Sequence, residues 1–395
     1  MIYTSNPKTG DEISRLGFGC MRLPRSDNKI DMEKSTELVK NAVEAGVNYF
    51  DTAYIYKGSE QALGTILENT GLREKVKIAT KFPVLMCKSG ADFDKFFDIQ
   101  LSRLKTDYID YYLIHMLCDE RTWERLKGYG ILEWIDRQKA AGRIKNIGFS
   151  YHGGKAEFSK LIDAYSWDFC MIQYNYLDEN NQAGKAGLRY AHSKGIQVFI
   201  MEPLRGGMLA GRLPPKAKEV FAAADSGRTP AAWGLRWLFN QPEVSMVLSG
   251  MAKPSDLKEN VDVVNDVKPD SLTPEELTVY DKVVAAISTV VKIPCTGCGY
   301  CLPCPVGVDI PTCFSCYNES YSSKRFLGLK RYFMTTGAIS ASQSGASLCK
   351  KCKKCEKHCP QQIEISASLR KVTRRMEPVL LRAGTAIGRK VMKLK

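Results

Sequence analysis

Short apolar runs rich in β-branched and aromatic residues recur through the first 265 positions, and each is followed by a segment of helical period. The runs are Leu16–Cys20, Tyr49–Ala53, Val76–Lys81, Ile109–His115, Ile144–Ser150, Phe169–Tyr174, Ile196–Glu202 and Val244–Gly250. The helical segments between them are Glu33–Ala45, Ser59–Asn69, Phe93–Leu104, Trp123–Ala141, Glu157–Ala164, Ala183–Ser193, Pro230–Asn240 and Ser255–Val264. Glycines after Ala45, Ala141 and Lys194 suit left-handed helix ends. Eight β-α units of this length predict an α/β fold, the (β/α)8 TIM barrel. The competing architecture, a doubly wound open sheet, usually carries G-x-G-x-x-G after its first strand. Here Gly17-Phe18-Gly19-Cys20-Met21-Arg22 lacks the third glycine.

Residues 1–15 read as a hairpin turning at Asn6-Pro7-Lys8-Thr9-Gly10-Asp11. After the eighth unit, Val267–Ser271 reads as a linker. A helix then starts with Thr273 as N-cap, Pro274 in the first turn and Glu276 completing a capping box, and ends near Lys292-Ile293-Pro294. The expected organisation is a barrel over 1–265, a linker and helix over 266–294, a small α-rich cysteine domain over 295–377 and a basic tail over 378–395.

The 44% hydrophobic content of the 395 residues excludes a largely disordered chain. No apolar run approaches the roughly 18 residues that span a bilayer. Met1–Gly10 is polar and unlike a signal peptide, so a cytoplasmic, reducing location is expected. The net charge of +14 is concentrated at one end. Lys324 to Lys395 holds 18 Lys and Arg against Glu356, Glu364 and Glu377, a net of +15, which leaves −1 for residues 1–323. An acidic partner would meet the basic piece.

Of 14 cysteines, Cys20, Cys87, Cys118 and Cys170 are scattered, whereas ten lie between Cys295 and Cys359. The second run, Cys349-x2-Cys352-x2-Cys355-x3-Cys359-Pro360, has the spacing of bacterial two-cluster ferredoxins, whose fourth cysteine serves the other cluster. The first run, Cys295-x2-Cys298-x2-Cys301-x2-Cys304-Pro305, is one residue shorter before its last cysteine. On that pattern one [4Fe-4S] cluster takes Cys295, Cys298, Cys301 and Cys359, and the other takes Cys304, Cys349, Cys352 and Cys355. Structural zinc is the rival, but it normally pairs two separated two-cysteine knuckles. Cys313 and Cys316 are spare and could substitute.

In (β/α)8 enzymes the chemistry sits at the C-terminal ends of the strands. There this sequence places Asp51, Tyr56 in the following loop, Lys81 and His115. A tyrosine is a poor acid at its ordinary pKa of about 10, and a nearby ammonium stabilises its phenolate. A carboxylate can hold that lysine, and a histidine can orient the reacting oxygen. The set suits protonation of a carbonyl oxygen while hydride reaches its carbon.

Asp51-Thr52-Ala53-Tyr54-Ile55-Tyr56-Lys57-Gly58-Ser59-Glu60 resembles the aldo-keto reductase signature after the second strand. Thr80-Lys81 and Leu113-Ile114-His115 resemble the next two signatures, and the resemblance covers about residues 10–265. It implies Tyr56 as general acid supported by Lys81, Asp51 and His115, a small carbonyl substrate, and NADP(H) or NAD(H) as hydride donor. It also implies that Ser150 and Gln173 hold the nicotinamide carboxamide, with Tyr151 where many members have Asn. Met201 falls where many members stack a tyrosine. Ser249-Gly250-Met251 and Leu257-Lys258-Glu259-Asn260 resemble the adenine-ribose segment. Four residues before that Asn, members preferring NADPH often carry Arg; Asp256 stands here, with Lys253 nearby. A carboxylate there would repel a 2′-phosphate. The cysteine region resembles the two-cluster domain fused behind the barrel in a subset of the family.

Lys350, Lys351, Lys353, Lys354 and Lys357 could dock an acidic redox protein such as a ferredoxin or flavodoxin; a merely solvated face is the alternative. The tail from Pro378 places Val379, Ala383, Ile387 and Val391 on one helical face; contact with an anionic membrane is the disfavoured reading. No motif supports nucleic-acid binding. Nicotinamide gives two electrons together, whereas each cluster takes one, so coupling them needs a converter such as flavin. No sequence feature marks a flavin site. The competing function is an electron-transfer or docking protein whose barrel senses redox state by binding nicotinamide.

Overall fold

The computed structural model describes residues 1–225, 227–322, 325–336 and 343–378. It forms two compact units: Met1–Leu204 with Ala231–Thr273, and Arg205–Pro230 with the chain from Pro274 onward.

The first unit is a closed barrel of eight parallel strands in sequential order. They are β1 (Leu16–Gly19), β2 (Tyr49–Asp51), β3 (Lys77–Phe82), β4 (Ile109–Ile114), β5 (Ile144–Tyr151), β6 (Phe169–Gln173), β7 (Gln197–Met201) and β8 (Met246–Ser249). β8 pairs with β1 through Val247 and Leu16, which closes the ring. Pairing of Gly19 with Asp51, Lys81 with Leu113, and Gln173 with Met201 brings the strand ends to one rim. Inside, Tyr49, Tyr111, Phe169 and Phe199 pack with ring centroids 4.9–5.8 Å apart, joined by Ile13 of the expected N-terminal hairpin. A filled interior leaves the rim as the place for ligands.

Outside lie α1 (Met32–Glu44), α2 (Ser59–Thr70), α3 (Ala91–Leu104), α4 (Glu120–Gly128), α5 (Ile131–Ala140), α6 (Lys155–Asp163) and α7 (Gly184–Ser193). After α8 (Pro215–Ala224), which belongs to the second unit, come α9 (Pro230–Phe239) and α10 (Pro254–Asp266). The single helix expected over Trp123–Ala141 is two, because Gly130 takes φ 84° and breaks the helix between them. Two short helices then bury Trp123 and Leu126, and Ile131, Trp134 and Ile135. The glycine stops at Gly46, Gly142 and Gly195 do adopt positive φ.

The second unit contains α8, α11 (Pro274–Ser288), α12 (Ile310–Ser322), α13 (Arg325–Thr335) and α14 (Ile365–Met376). Its first segment interrupts the barrel sequence, where the sequence pattern suggested one linear boundary after residue 265. The physical cause is visible in α8 and its flank: Phe221 meets the Tyr280 ring at 6.1 Å, and Arg228 pairs with Glu276 at 2.7 Å. α11 ends at Ser288, short of the expected Lys292. On α14, Leu369, Val372 and Met376 bury one face in a core with Ile310, Phe314 and Tyr332. The expected tail helix beyond Pro378 lies outside the described residues. Among the described residues no helix is long and apolar enough to cross a membrane.

Candidate active site

Asp51 ends β2, Lys81 is the penultimate residue of β3, and His115 follows β4. Lys81 Nζ donates to Asp51 Oδ1 at 2.5 Å and to the Thr52 carbonyl at 2.7 Å. Both side chains are almost fully buried. Burial pushes the Asp51 carboxyl up and the lysine opposes this, while Asp51 Oδ2 has no hydrogen-bond partner. Tyr56 sits in the turn before α2, where its amide donates to the Ala53 carbonyl. Its ring is half-buried, 5.0 Å from Lys81 Nζ and edge-on to His115 at 6.2 Å. Thr52 and Ser59 brace this turn through a 2.8 Å hydroxyl pair, and Ser59 reaches the Cys20 carbonyl. The four residues expected at the rim are thus brought together.

Burial holds the His115 imidazole well below its ordinary pKa, with Lys81 and His152 adding to it. His115 is therefore a neutral hydrogen-bonding group beside an ammonium, not a second cation. His152 itself was not singled out in the sequence. Burial lowers it to about 4, partly offset by a hydrogen bond with Gln182. Gln182 Nε2 donates to Gln173 Oε1 at 2.6 Å, and Gln173 Nε2 donates to Asp178 Oδ2 at 2.9 Å. A chain of two amides thus links the imidazole to a carboxylate. The signal for it was the tripeptide Ser150-Tyr151-His152, in which Tyr151 drew attention as the residue replacing Asn. Tyr151 instead packs on Phe158 at 4.9 Å and bonds the Gly154 carbonyl.

The expected cofactor residues occupy the same rim. Ser150 Oγ accepts from the Met116 amide at 2.9 Å, and Met201 is half-buried at the end of β7. Beyond β8, Gly250 is exposed and Met251 buried. Asn260 Nδ2 donates to Ser249 Oγ at 2.9 Å, tying α10 to the strand end. Lys253 is the exposed N-cap of α10, and Glu259 is half-buried further along the helix. Asp256 Oδ2 accepts from the Ala252 amide at 3.3 Å. Arg22, which the sequence did not mark, lies against Gly250, with its Cβ and Cδ 3.8 Å from where a Cβ there would stand. A helix N-terminus with Lys253 and Arg22 beside it is a favourable place for phosphate. This arrangement suits a dinucleotide laid across the rim.

In the second unit, Cys295, Cys298, Cys301 and Cys359 line one cavity with the apolar Ile310, Phe314 and Ile363. Among the described residues no three His, Cys, Asp or Glu side chains converge as ligands of one ion. The four cysteines stand around a rim instead. Burial raises the Cys295 thiol to about 11 and the Cys301 thiol to about 12, and Cys359 adds to both. Deprotonated sulfurs in that seat need a positive centre. Cys304 and Cys349 similarly raise Cys355, to about 11, after burial. Cys352 is exposed. Positive φ at Gly297, Gly299, Lys351 and Lys353 curls the backbone around the thiols, and the Lys351 amide donates to Cys349 Sγ at 3.4 Å. The donor set fits two iron-sulfur clusters with the fourth cysteines crossed. The spare Cys313 and Cys316 are buried on α12, near Tyr332 and Thr335, where both thiols are pushed up by burial. They are core residues of the helix, remote in chemistry from ligands.

The aldo/keto reductase family pattern matches residues 15–278, and a 4Fe-4S dicluster domain matches residues 294–364. Aldo-keto reductase YhdN of Bacillus subtilis is 26% identical over 65% of this chain and 87% of its own. L-galactose dehydrogenase of Arabidopsis thaliana is 26% identical over 71% and 93%. NADH-specific methylglyoxal reductase of Escherichia coli is 23% identical over 64% and 90%. Among solved structures, the holo form of aldo-keto reductase AKR11C1 from Bacillus halodurans is 25% identical, with a TM-score of 0.59 over 72% of this chain and 96% of that one. With the barrel, the rim and the paired cysteine runs in place, the chain belongs to the aldo/keto reductase family of oxidoreductases and carries a 4Fe-4S dicluster domain after its barrel in the sequence.

Proposed function

We propose that the barrel reduces a small carbonyl compound with NADPH or NADH, with Tyr56 as general acid. The observation that carries this reading is the convergence of Tyr56 on the buried Lys81–Asp51 pair and His115. The bound nicotinamide supplies hydride to the carbonyl carbon. Tyr56 gives its phenolic proton to the carbonyl oxygen. Lys81, 5.0 Å from the ring, stabilises the negative charge left on the phenol oxygen. Asp51 fixes Lys81 in place through the 2.5 Å contact. Neutral His115 donates a hydrogen bond that orients the substrate oxygen without competing for the proton. Ser150 and Gln173 hold the carboxamide. Lys253, Arg22 and the start of α10 take the adenosine phosphates, with Ser249, Gly250, Met251, Asp256, Glu259 and Asn260 around the adenine-ribose half. Engagement of Asp256 with the Ala252 amide directs its charge toward the loop, which supports use of either cofactor.

Two [4Fe-4S] clusters would be held by Cys295, Cys298, Cys301 and Cys359 and by Cys304, Cys349, Cys352 and Cys355. They would pass single electrons. The exposed Lys350, Lys351, Lys353, Lys354 and Lys357 surround Cys352 in sequence and suit an acidic electron carrier such as a ferredoxin or flavodoxin. The six cysteines outside the two ligand sets are free thiols, in keeping with a reducing cytoplasm. Tyr56→Phe tests the barrel chemistry: aldehyde-dependent oxidation of NAD(P)H should fall about 10²–10⁴-fold while cofactor binding persists. Undiminished turnover would remove Tyr56 as the acid.

A further inference from the structure

The second unit begins with a left-handed turn, Arg205-Gly206-Gly207, in which φ is 50°, 64° and 87°. Glycine enters this backbone freely, but an arginine stays in it only where its surroundings hold it there. Here the Arg205 side chain is buried, the residue being 2% exposed. Its Nη2 donates to the Pro294 carbonyl at 3.2 Å, and its Nη1 lies 3.9 Å from Met208 Sδ. The Pro294 carbonyl belongs to the peptide unit that leads into Cys295. The turn therefore holds a guanidinium beside the first ligand of the first cysteine seat, within the same unit.

That seat magnifies a nearby charge. Among the described residues that line it, no side chain except the thiols can carry charge, and Ile310, Phe314, Ile363 and Ile365 close it. A cation beside such a lining acts through a low dielectric and is weakly screened by salt. Its field already reaches the ligand: burial above all raises the Cys295 thiol, and Arg205 is among the groups that oppose this. The lysines around Cys352 differ, because all five are exposed and water screens them. Reduction of a [4Fe-4S] cluster adds one electron from a one-electron donor, with no bond made or broken, so its net negative charge grows by one. A fixed cation stabilises the more negative state further, which raises the reduction potential.

We propose that Arg205 holds up the reduction potential of the cluster bound by Cys295, Cys298, Cys301 and Cys359, so that this cluster accepts an electron more readily than its apolar seat alone would allow. The inference rests on the two-cluster reading of the cysteine runs. The test uses the full chain, purified without oxygen with its clusters intact and titrated with dithionite, and reads the reduced clusters by electron paramagnetic resonance at a series of fixed potentials. Arg205→Gln keeps an N–H donor for the Pro294 carbonyl but removes the charge. At a fixed potential it should lower the reduced-to-oxidised ratio of one cluster about tenfold, which is about 59 mV for a one-electron couple. The other cluster should keep its midpoint. Arg205→Lys, which keeps the charge, should stay near wild type. The shifted signal should be the one that Cys298→Ser lacks and Cys349→Ser retains. Unchanged midpoints in Arg205→Gln, an equal shift of both clusters, or a shift in Arg205→Lys as large as in Arg205→Gln would overturn the proposal. If Arg205→Gln loses the cluster from this seat, Arg205→Lys decides: iron retained at the wild-type midpoint upholds the role of the charge, and loss from both variants makes Arg205 a packing residue. Wild-type protein without iron in this seat would overturn the cluster reading, and this inference with it, before any midpoint is compared.

Discussion

Lys81 and Asp51 stabilise each other only as a pair. With both side chains at most 3% exposed, removing the lysine leaves a carboxylate that water cannot reach. Lys81→Met should therefore destabilise the barrel by about 3–5 kcal/mol, and adding Asp51→Asn should restore much of it. Urea unfolding followed by tryptophan fluorescence checks this, because all five tryptophans (Trp123, Trp134, Trp167, Trp233 and Trp237) lie in the barrel unit. If the double variant is no more stable than the single one, the unpaired charge is not the cause. His152 makes a related prediction about pH. Its folded pKa is about 4 against about 6.5 for an unfolded histidine. Between those values the unfolded chain binds a proton that the native chain does not, so stability falls as pH falls. From pH 7 to pH 5 the loss from this residue is about 2 kcal/mol, and His115 acts in the same direction. His152→Gln should flatten the pH dependence of the urea midpoint, and an unchanged slope would count against the buried neutral imidazole.

Among the elements, α2 and α3 approach closely at Gly64. A Cβ there would lie 2.5 Å from the Arg103 carbonyl oxygen and 2.6 Å from the Leu104 carbonyl carbon. Gly64→Ala must separate the helices, a change of about 1–3 kcal/mol by overpacking. Since Arg103 also pairs with Glu60 across the same contact at 3.0 Å, calorimetry should show a lowered melting temperature for the barrel. A melting temperature equal to wild type would mean the helices slide apart freely. In the second unit, the crossing of cysteine runs is open to a direct test. Cys359→Ser should deplete the seat made by Cys295, Cys298 and Cys301, although Cys359 lies in the other run. Iron should fall from about eight to about four per chain. Electron paramagnetic resonance of the reduced variant should then resemble that of Cys298→Ser, not that of Cys349→Ser.

At the scale of the whole molecule, the barrel and its rim were readable because their signals are local. Eight apolar runs with helical segments between them give a closed parallel barrel, and strand geometry puts each last residue at one end. Asp51, Lys81 and His115 stand at or beside those ends. The cysteine runs were equally legible, since thiolates two residues apart can share one cluster whatever surrounds them. Contacts distant in sequence were not. The break at Gly130 depends on two helices burying different tryptophans, which one amphipathic pattern cannot reveal. The assignment of 205–230 to the second unit depends on Phe221 meeting Tyr280. The fate of Cys313 and Cys316 depends on α13 and its flank covering them. His152 gained its place only when Gln182, Gln173 and Asp178 were brought into a hydrogen-bonded chain. Composition, period and spacing thus determined the barrel and the two cysteine runs, and the family resemblance added the candidate acid, its supports and the proposed cluster ligands, because each is a rule about neighbours along the chain. Only the tertiary structure decided which buried groups are neutral and which cysteines are core, because desolvation and packing depend on residues that meet in space.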